Sequence, residues 1–578
     1  MPVVTDVVNA RIKINDTELS NTLSAVVLEQ SVDDHHRLRA RVQIGATRNP
    51  DEIIQEQARS HRWLGSRISL EVERSDSDNR SLKFSGVVTR VSLENSVNGL
   101  NEIVVEAASP TILLDGARKN KIMTEVKASD AISVALGDHS MQIGRVEATS
   151  KVMPYLVQYR ETDYAFIRRM ASGAGLFSYY DGEKFQVVKA AARDEVQLDF
   201  YADVTQFALG LGMANTGKSG TAWDPTAKEA LSSEAEGRPS GASPSGVTTI
   251  SIDASKDSYP GYDYTTDHKA AADMASLDDA VKVAKDAAIG NLFTVRGESG
   301  VEGVRVGGSI RIAGMADYNG QYFVRQVTHV VREGGEYSNS FECIPLDLAY
   351  PQLSHPLPRI TEVQTAIVTD NQDPDQLGRV KVKFSWLPQD ESIWLRIAWP
   401  YAGKERGWYS LPEVDDEVLV AFEHGDPDMP VVIGSLYNQK DKPPEGSYNA
   451  ENDVKMFMTR AGNLLKFVDT DGSEELTITQ KDGKNTITLA LSGPSISIES
   501  EGDISIKGKT IALESTSGDI TVKSGGKLAQ ESSMDLTLKG GMNLKAEGSV
   551  NCELKGGAQT KLEGGAMTEI KGAMVKIN

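Results

Sequence analysis

The sequence predicts a mainly β, multidomain protein that ends in a β-structure shared between three chains. In many short segments apolar residues alternate with polar ones between Gly, Asn and Asp, which is the period of half-buried strands. The chain has 578 residues, and at roughly 150 residues per domain this length suggests about three to five domains. Towards the C-terminus a glycine recurs every eight residues. The first observation predicts strands, the second several domains, and the third an unusual final element.

The glycine repeat covers residues 540 to 572. The second, fourth and sixth residues after each glycine are mostly apolar and the odd ones mostly polar, so each octad is predicted to be a short amphipathic strand. Glycine can adopt positive φ at the corner between two such strands. The predicted corners are Gly540, Gly548, Gly556, Gly564 and Gly572, and the predicted interior residues are Met542, Leu544, Val550, Cys552, Leu554, Leu562 and Ile570.

The length of the repeat predicts how many chains are needed. A strand of six or seven residues spans about 20 Å, whereas a three-sided solenoid wound from one chain needs about 18 or more residues per coil. One octad therefore supplies one side, and we predict a homotrimer in which residues 476 to 578 form a triangular prism with its core between the chains. The alternative is a disordered Gly/Lys/Glu segment, which the alternation in phase with glycine disfavours.

Composition excludes several classes of protein. The net charge of -21 and the pI near 5.0 argue against a nucleic-acid binder. Two cysteines, Cys343 and Cys552, cannot build a disulfide framework or a cysteine zinc site, which indicates a reducing compartment. The first residues lack the features of a signal peptide and no apolar run approaches a spanning helix. We therefore expect synthesis in the cytoplasm, without a bilayer anchor.

A small barrel is predicted between residues 360 and 440. Residues 363 to 438 contain several short alternating segments separated by Asp-Pro and Gly turns, a pattern typical of an OB-fold, the five-stranded oligonucleotide/oligosaccharide-binding barrel. Three prolines in 351 to 359 predict a linker before it. We expect a connector over residues 441 to 475 between this barrel and the prism.

Two features interrupt the strands before the barrel. Residues 225 to 247 are rich in Ser, Gly, Pro and Ala and predict a mobile loop. A helix is predicted at 276 to 290, with Ser276 and Asp279 as its capping pair.

The segments DPDQLGRVKVKF, HGDPDMPVVIGSLYN and ETDYAFIRRM resemble VgrG-type spike proteins of phage tails, type VI secretion systems and extracellular contractile injection particles. Asp415 departs from the glycine that the family usually carries in the PEVGDEV turn. The resemblance implies a hub of two related β-barrel domains at 1 to 110 and 201 to 355, with an α/β insertion at 111 to 200. It implies a structural, membrane-puncturing spike rather than an enzyme.

The same resemblance implies the partners. The trimeric hub would form a pseudo-six-fold ring against a hexameric inner tube, surrounded by baseplate proteins, with effector cargo as a type VI alternative. The chain looks more like the spike of an extracellular particle than many type VI spikes. A PAAR-type tip protein is implied at the end of the prism, over Met574, Val575, Lys576, Ile577 and Asn578.

Other chemical signals are weaker. Gly212, Gly217, Lys218 and Ser219 match a phosphate-loop pattern, but Gly220 and Pro225 break the helix that such a loop requires, so we expect a hairpin turn and no nucleotide. The about forty residues after Tyr437 leave no room for a cell-wall hydrolase. The prism lacks the aromatic residues of a carbohydrate-binding adhesin.

No metal or other cofactor is expected. His35 and His36 are adjacent on a strand and point to opposite faces, so we expect surface residues. The cluster of Asp370, Asp373 and Asp375 lacks the glycine and distal glutamate of an EF-hand, which leaves ordinary turn chemistry or a weak calcium site.

Overall fold

The computed structural model describes residues 7–15, 17–19, 22–44, 49, 51, 55, 59–74, 81–95, 101–239, 246–266, 273–353, 358–387 and 389–577. The chain divides into two compact units, Met1–Pro443 and Pro444–Asn578, which are described separately.

The first unit opens with seven strands around an apolar core. Alternate residues of these strands, such as Ile12, Leu28, Leu70 and Val105, are fully buried together, as the period of two predicts. The strands are β1 (Val8–Ile14), β2 (Thr17–Glu18), β3 (Leu23–Ser31), β4 (Arg37–Gln43), β5 (Arg67–Arg74), β6 (Leu82–Asn95) and β7 (Asn101–Ala108).

An α/β insertion follows, with its own core of Leu136, Phe166, Ile167 and neighbouring side chains. The second of its helices begins where the Thr162 hydroxyl accepts a hydrogen bond from the backbone N–H of Ala165, which is ordinary N-cap chemistry. The elements are β8 (Arg118–Lys127), α1 (Ala128–Gly137), β9 (Ile143–Val146), β10 (Val152–Thr162), α2 (Asp163–Gly173), β11 (Phe177–Tyr180) and β12 (Phe185–Val188).

The second half of the hub repeats the pattern of alternating strands, with Val295, Phe323 and Val327 in its core. Its elements are β13 (Val196–Asp199), β14 (Val204–Leu211), β15 (Lys218–Asp224), β16 (Glu229–Ala235), α3 (Gly246–Ser258), β17 (Asp263–Thr266), α4 (Met274–Gly290), β18 (Phe293–Ser299), β19 (Ser309–Ala313), β20 (Gly320–Arg332) and β21 (Tyr337–Pro345).

One sheet runs through both halves of the hub. Its strand order is β14-β18-β21-β20-β3-β4-β7-β6-β5-β1-β2, with β19 pairing β20 and β13 pairing β19. The halves join where β3 pairs antiparallel with β20, which places His329 opposite Leu28. The two halves therefore have separate cores but share one hydrogen-bonded sheet.

Two local expectations for this half are corrected. Residues 229 to 235 of the expected mobile loop form β16, which pairs with β15 along its whole length; the pairing compensates for their weak strand propensity. Residues 240 to 245 of that loop lie outside the described residues. The helix expected at 276 to 290 is α4, but its N-cap is Asp273, whose carboxylate accepts the N–H of Ser276 at 2.8 Å.

The small barrel occupies the end of the first unit. Its buried residues, including Val368, Phe384 and Val418, share one core with Tyr155 and Val157 of β10, so the barrel is packed against the insertion. Its strands are β22 (Gln364–Asp370), β23 (Lys381–Phe384), β24 (Ala402–Gly403), β25 (Arg406–Gly407), β26 (Glu417–Phe422) and β27 (Pro430–Ser435).

Asp415, which stands where a glycine is expected, has a backbone conformation that favours glycine. Its φ is +76°, in the left-handed region that Asp and Asn tolerate better than other side chains. The turn is kept.

The second unit begins with an antiparallel meander of five strands, β28 (Val454–Met458), β29 (Leu464–Val468), β30 (Glu475–Thr479), β31 (Asn485–Ala490) and β32 (Ser495–Ser500). The meander differs from the expected boundary at 476, because strands on both sides of that residue belong to one sheet. From 501 to 577 the described chain contains no strand or helix.

Candidate functional site

The meander carries an apolar face that stays accessible in the described part of its unit. Cross-strand neighbours in successive strands form one continuous column, since each residue lies opposite the next. All five side chains remain partly or largely accessible. An isolated sheet must bury one face to be stable. The column, which we call the meander column, consists of Phe457, Leu465, Ile478, Ile487 and Ile498.

The chain after the meander lacks main-chain pairing of its own. Within the described residues 502 to 577, no backbone N–H donates to a backbone carbonyl; the last such bond joins the N–H of Glu501 to the carbonyl of Lys484 at 2.9 Å. A chain that becomes ordered loses conformational entropy, and without main-chain hydrogen bonds nothing compensates for that loss. This segment, which we call the octad segment, leaves its main-chain groups without main-chain partners in the described chain.

The side chains of the octad segment are accessible along its whole described length. Every described residue from 501 to 577 is exposed. The predicted interior residues are among the most exposed of all, with Met542 at 94% and Val550 at 99%. Cys552 is exposed and reduced. A contiguous apolar row of this length marks an interface.

The octad glycines are needed for space, and the expected positive φ is wrong. None of the five, all described, has φ in the left-handed region. A Cβ atom on Gly548 would instead lie 2.3 Å from the carbonyl oxygen of Asn551, and on Gly556 the same distance from that of Gln559. Gly540 and Gly564 are similar, at 2.5 Å from the carbonyl three residues on. At these four corners the backbone turns so tightly that a side chain does not fit, whereas at Gly572 the nearest atom, the carbonyl oxygen of Met574, is 3.3 Å away.

The residues expected to contact a tip protein are Met574 to Ile577, with Asn578 outside the described residues. Met574 and Ile577 are 83% and 86% exposed. Apolar side chains this accessible are consistent with a contact surface.

The phosphate-loop match is part of a crossover between two sheets. β14 belongs to the large sheet and β15 to a separate sheet with β16 and β17, so the expected hairpin is wrong. Lys218 begins a strand instead of a helix, and its ammonium lies 2.6 Å from Asp263. The N–H of Gly212 donates to the carbonyl of Leu292 at 2.7 Å. The amide of Gly212 and the ammonium of Lys218 are thus both bonded to protein groups.

The aspartate loop is closed by an arginine. The carboxylate of Asp373 accepts the backbone N–H groups of Asp375 and Leu377 at 3.1 and 2.9 Å. It also accepts hydrogen bonds from the Nε and Nη2 atoms of Arg379 at 3.0 and 2.6 Å. The Arg379 guanidinium lowers the pKa of Asp373, with further contributions from the backbone N–H groups. Among the described residues no group of His, Cys, Asp and Glu is arranged to hold a metal ion.

Of the two histidines expected at the surface, His36 is buried and His35 is partly buried. Burial lowers the pKa of His36 to about 3, and His35 is held by Thr111 and Asp115 at 2.8 Å each. Sequence periodicity missed them because aromatic side chains from distant strands, Phe84 and Tyr180, pack against the His36 ring.

Comparisons with known proteins agree with the fold. The family of phage tail baseplate hub proteins matches residues 53–335. The family of type VI secretion and phage-baseplate injector OB domains matches residues 364–437. Together these matches cover most of the first unit.

Curated relatives extend the match. The type VI secretion system spike protein VgrG1b of Pseudomonas aeruginosa is 27% identical over 461 residues, which are 72% of this chain and 60% of that protein. VgrG1a of the same organism is 28% identical over 56% of this chain and 55% of its own length. This chain therefore spans little more than half the length of these relatives.

Solved structures share the fold at low identity. A chain of the lidded Francisella PdpA-VgrG complex superposes with a TM-score of 0.57 at 10% identity, covering 85% of this chain and 80% of that chain. The lidless form gives 0.56 at 10% identity, covering 86% of this chain and 98% of that chain.

Proposed function

We propose that this chain, which is similar to VgrG-type spike proteins and to phage tail baseplate hub proteins, is a homotrimeric spike and hub of a contractile injection system. The unpaired octad segment is the observation that carries the proposal. About seventy-five consecutive residues without a main-chain partner are unstable alone, whereas three copies supply strands on every side.

The meander column supports the same stoichiometry. Its apolar side chains, from Phe457 to Ile498, are accessible in one chain, and burying each one contributes about 1.5 to 3 kcal/mol. Three meanders placed around one axis would bury these faces against one another. The second unit is therefore proposed to trimerise along most of its length, from the meander through the octads.

The proposed mechanism is mechanical. Contraction of a sheath would drive the tube and the spike forward, and the spike would transmit force because its ladder bonds are shared by three chains. Bonds loaded in parallel must break together, so the needle would resist bending better than a single chain. Passage through a membrane would then occur by puncture.

We further propose how the units divide the work. The first unit, in which one sheet spans both hub halves, would meet the hexameric inner tube and the baseplate proteins. The exposed end of the octad segment, Met574 to Ile577, would carry a PAAR-type tip protein. The names of the curated relatives favour a type VI secretion machine over the extracellular particle that the sequence suggested, and effector cargo belongs with that alternative.

The proposed role is structural, without catalysis in the described residues. The relatives above are spike proteins, although one further relative is the actin cross-linking toxin VgrG1 of Vibrio cholerae, matched at 30% identity over only 15% of its length. None of the described helices combines the length and apolarity needed to cross a bilayer. We propose assembly in the cytoplasm into an injection particle.

The mass of the full chain in solution tests the proposal. Sedimentation equilibrium should give three times 62.6 kDa. Replacing Ile478 and Ile487 by Glu should lower the trimer fraction, because charges would enter the meander column. The matched control places Glu at Thr477 and Thr488 on the other face of the same strands and should stay trimeric. A monomeric wild-type chain would overturn the proposal.

A further inference from the structure

The residues just before the five octad corners alternate in charge, and the same spacing continues the alternation upstream to Glu531 and Lys523. At a spacing of eight, seven consecutive positions are Lys, Glu, Lys, Glu, Lys, Glu and Lys. All seven are exposed in the single chain. These residues, which we call the charge column, are Lys523, Glu531, Lys539, Glu547, Lys555, Glu563 and Lys571.

A second column repeats the alternation two positions earlier. Lys545, Glu553, Lys561 and Glu569 also lie eight residues apart and also alternate in sign. Where both columns are present, each octad therefore carries one Lys and one Glu, and the next octad carries them in exchanged places. An exposed face requires charged residues for solvation, but solvation does not require that Lys and Glu exchange places from one octad to the next.

Within a single chain, the alternation of Lys and Glu does not bring opposite charges of different octads together. Octads of the single chain are not hydrogen-bonded to each other. The ion pairs that do form are local, between Lys561 and Glu563 and between Lys571 and Glu569. Both side chains of each pair are well exposed, and such pairs contribute little.

In a three-sided shaft, the same alternation would bring opposite charges of different chains together. If three chains begin on the three sides at one height, each chain moves to the next side with its next octad. It then lies above the octad that another chain has placed there. On every side, an octad of one chain is therefore flanked by the following octad of another chain, in parallel and about 4.8 Å away. Residues eight apart in sequence become neighbours between chains.

We propose that the two columns form interchain ladders of alternating Lys and Glu that set the register of the trimer. The inference rests on the proposed homotrimer. With an offset of one octad every charge has opposite charges above and below it, which favours pairing. With an offset of zero or two octads, Lys would lie beside Lys and Glu beside Glu, which disfavours it. The partner is a second and a third copy of this chain, and the charges exclude slipped and flat in-register assemblies.

The first test exchanges two charges without changing the total. Glu547→Lys with Lys555→Glu keeps composition and net charge but creates Lys beside Lys and Glu beside Glu. We expect the trimer to unfold in urea roughly ten times faster than wild type at low salt. The difference should shrink at about 1 M salt, where screening acts within about 3 Å.

The matched control inverts the whole column and so restores the alternation. This inverted variant should unfold at about the wild-type rate. It consists of Lys523→Glu, Glu531→Lys, Lys539→Glu, Glu547→Lys, Lys555→Glu, Glu563→Lys and Lys571→Glu.

The second test mixes chains. Wild-type and inverted chains with different tags are co-expressed, and trimers carrying both tags are counted. Random assembly would make about three quarters of the trimers mixed, as two differently tagged wild-type chains should. The ladders predict less than roughly a tenth, because a mixed trimer places like charges side by side.

The outcomes separate the ladder from the trimer. Random mixing together with a wild-type unfolding rate for the exchange variant overturns the ladder and leaves the trimer intact. A monomeric mass overturns the proposed function itself.

Discussion

The Nε2 atom of His329 lies 3.2 Å from the Oε1 atom of Gln30, across the junction where β20 pairs with β3. The Nε2 atom of Gln30 in turn contacts Nδ1 of His36 at 3.2 Å, and Nδ1 of His329 lies 2.7 Å from the hydroxyl of Tyr337. All of these groups are buried. A buried polar chain of this kind holds the two hub halves in one arrangement, because a shifted strand would leave its members unpaired.

Acid should weaken the hub through these histidines. Burial lowers the pKa of both His36 and His329 to about 3, whereas in the unfolded chain it is about 6.5. Between these values the unfolded chain binds protons that the folded chain does not. The free energy of unfolding should therefore be greatest above about pH 6.5 and should fall towards about pH 3, by up to about 1.4 kcal/mol per pH unit for each imidazole.

Urea unfolding at about pH 7.5 and about pH 5 measures this slope. His329→Gln should lower stability at neutral pH and reduce the pH dependence, whereas substitution of the exposed His61 by Gln should change neither. An unaltered slope in His329→Gln would contradict the assignment.

Two neighbouring glycines should respond differently to alanine. A Cβ on Gly556 would meet the carbonyl oxygen of Gln559 at 2.3 Å, but a Cβ on Gly557 has nothing within 4 Å in the chain. We expect Gly556→Ala to destabilise the second unit by about 1 to 3 kcal/mol per chain, and Gly557→Ala to have a small effect. Thermal unfolding of the two variants side by side checks this. Equal effects would mean that the corner does not require glycine for space.

The aspartate loop should be independent of calcium. Asp373→Ala removes a carboxylate that is 3% exposed and paired with Arg379, and should cost about 1 to 3 kcal/mol. Asp375→Ala removes a carboxylate that is 67% exposed and should cost less than about 1 kcal/mol. Calcium or a chelator should leave the unfolding midpoint of the wild type unchanged, because Arg379 already neutralises Asp373. A midpoint that rises with calcium would show that the loop binds the ion.

Lys218 should contribute to the stability of the fold and should not bind a nucleotide. Lys218→Met leaves Asp263 without its partner at 2.6 Å and should destabilise the sheet of β15, β16 and β17 by about 1 kcal/mol. Magnesium ATP should not raise the unfolding midpoint of either protein. Stabilisation of the wild type alone by the nucleotide would restore the phosphate-loop interpretation.

Much of the fold can be predicted from local sequence pattern, and the features that could not be predicted have a common cause. The strands around Ile12 and Val368 alternate strictly, so their buried faces could be predicted. The strand at 229 to 235 and the burial of His36 depend on partners far away in sequence, which periodicity does not reveal. The meander straddles the predicted boundary between connector and prism, with β28 and β29 before residue 476 and β31 and β32 after it, because its short strands have no core within the chain to mark where a unit begins. At the octads the period of eight predicts where glycine is required. The reason for the requirement could not be predicted, because it is the close approach of the carbonyl oxygen three residues away.

The alternating columns limit how such a needle can change in length. Removing a single octad from every chain would bring Lys539 next to Lys555, so that like signs meet at the junction. Removing a pair of octads leaves the sequence of signs intact. Shafts of this design should therefore grow and shrink by whole pairs of repeats, and a shaft that differs by an odd number should carry compensating exchanges on one side of the junction.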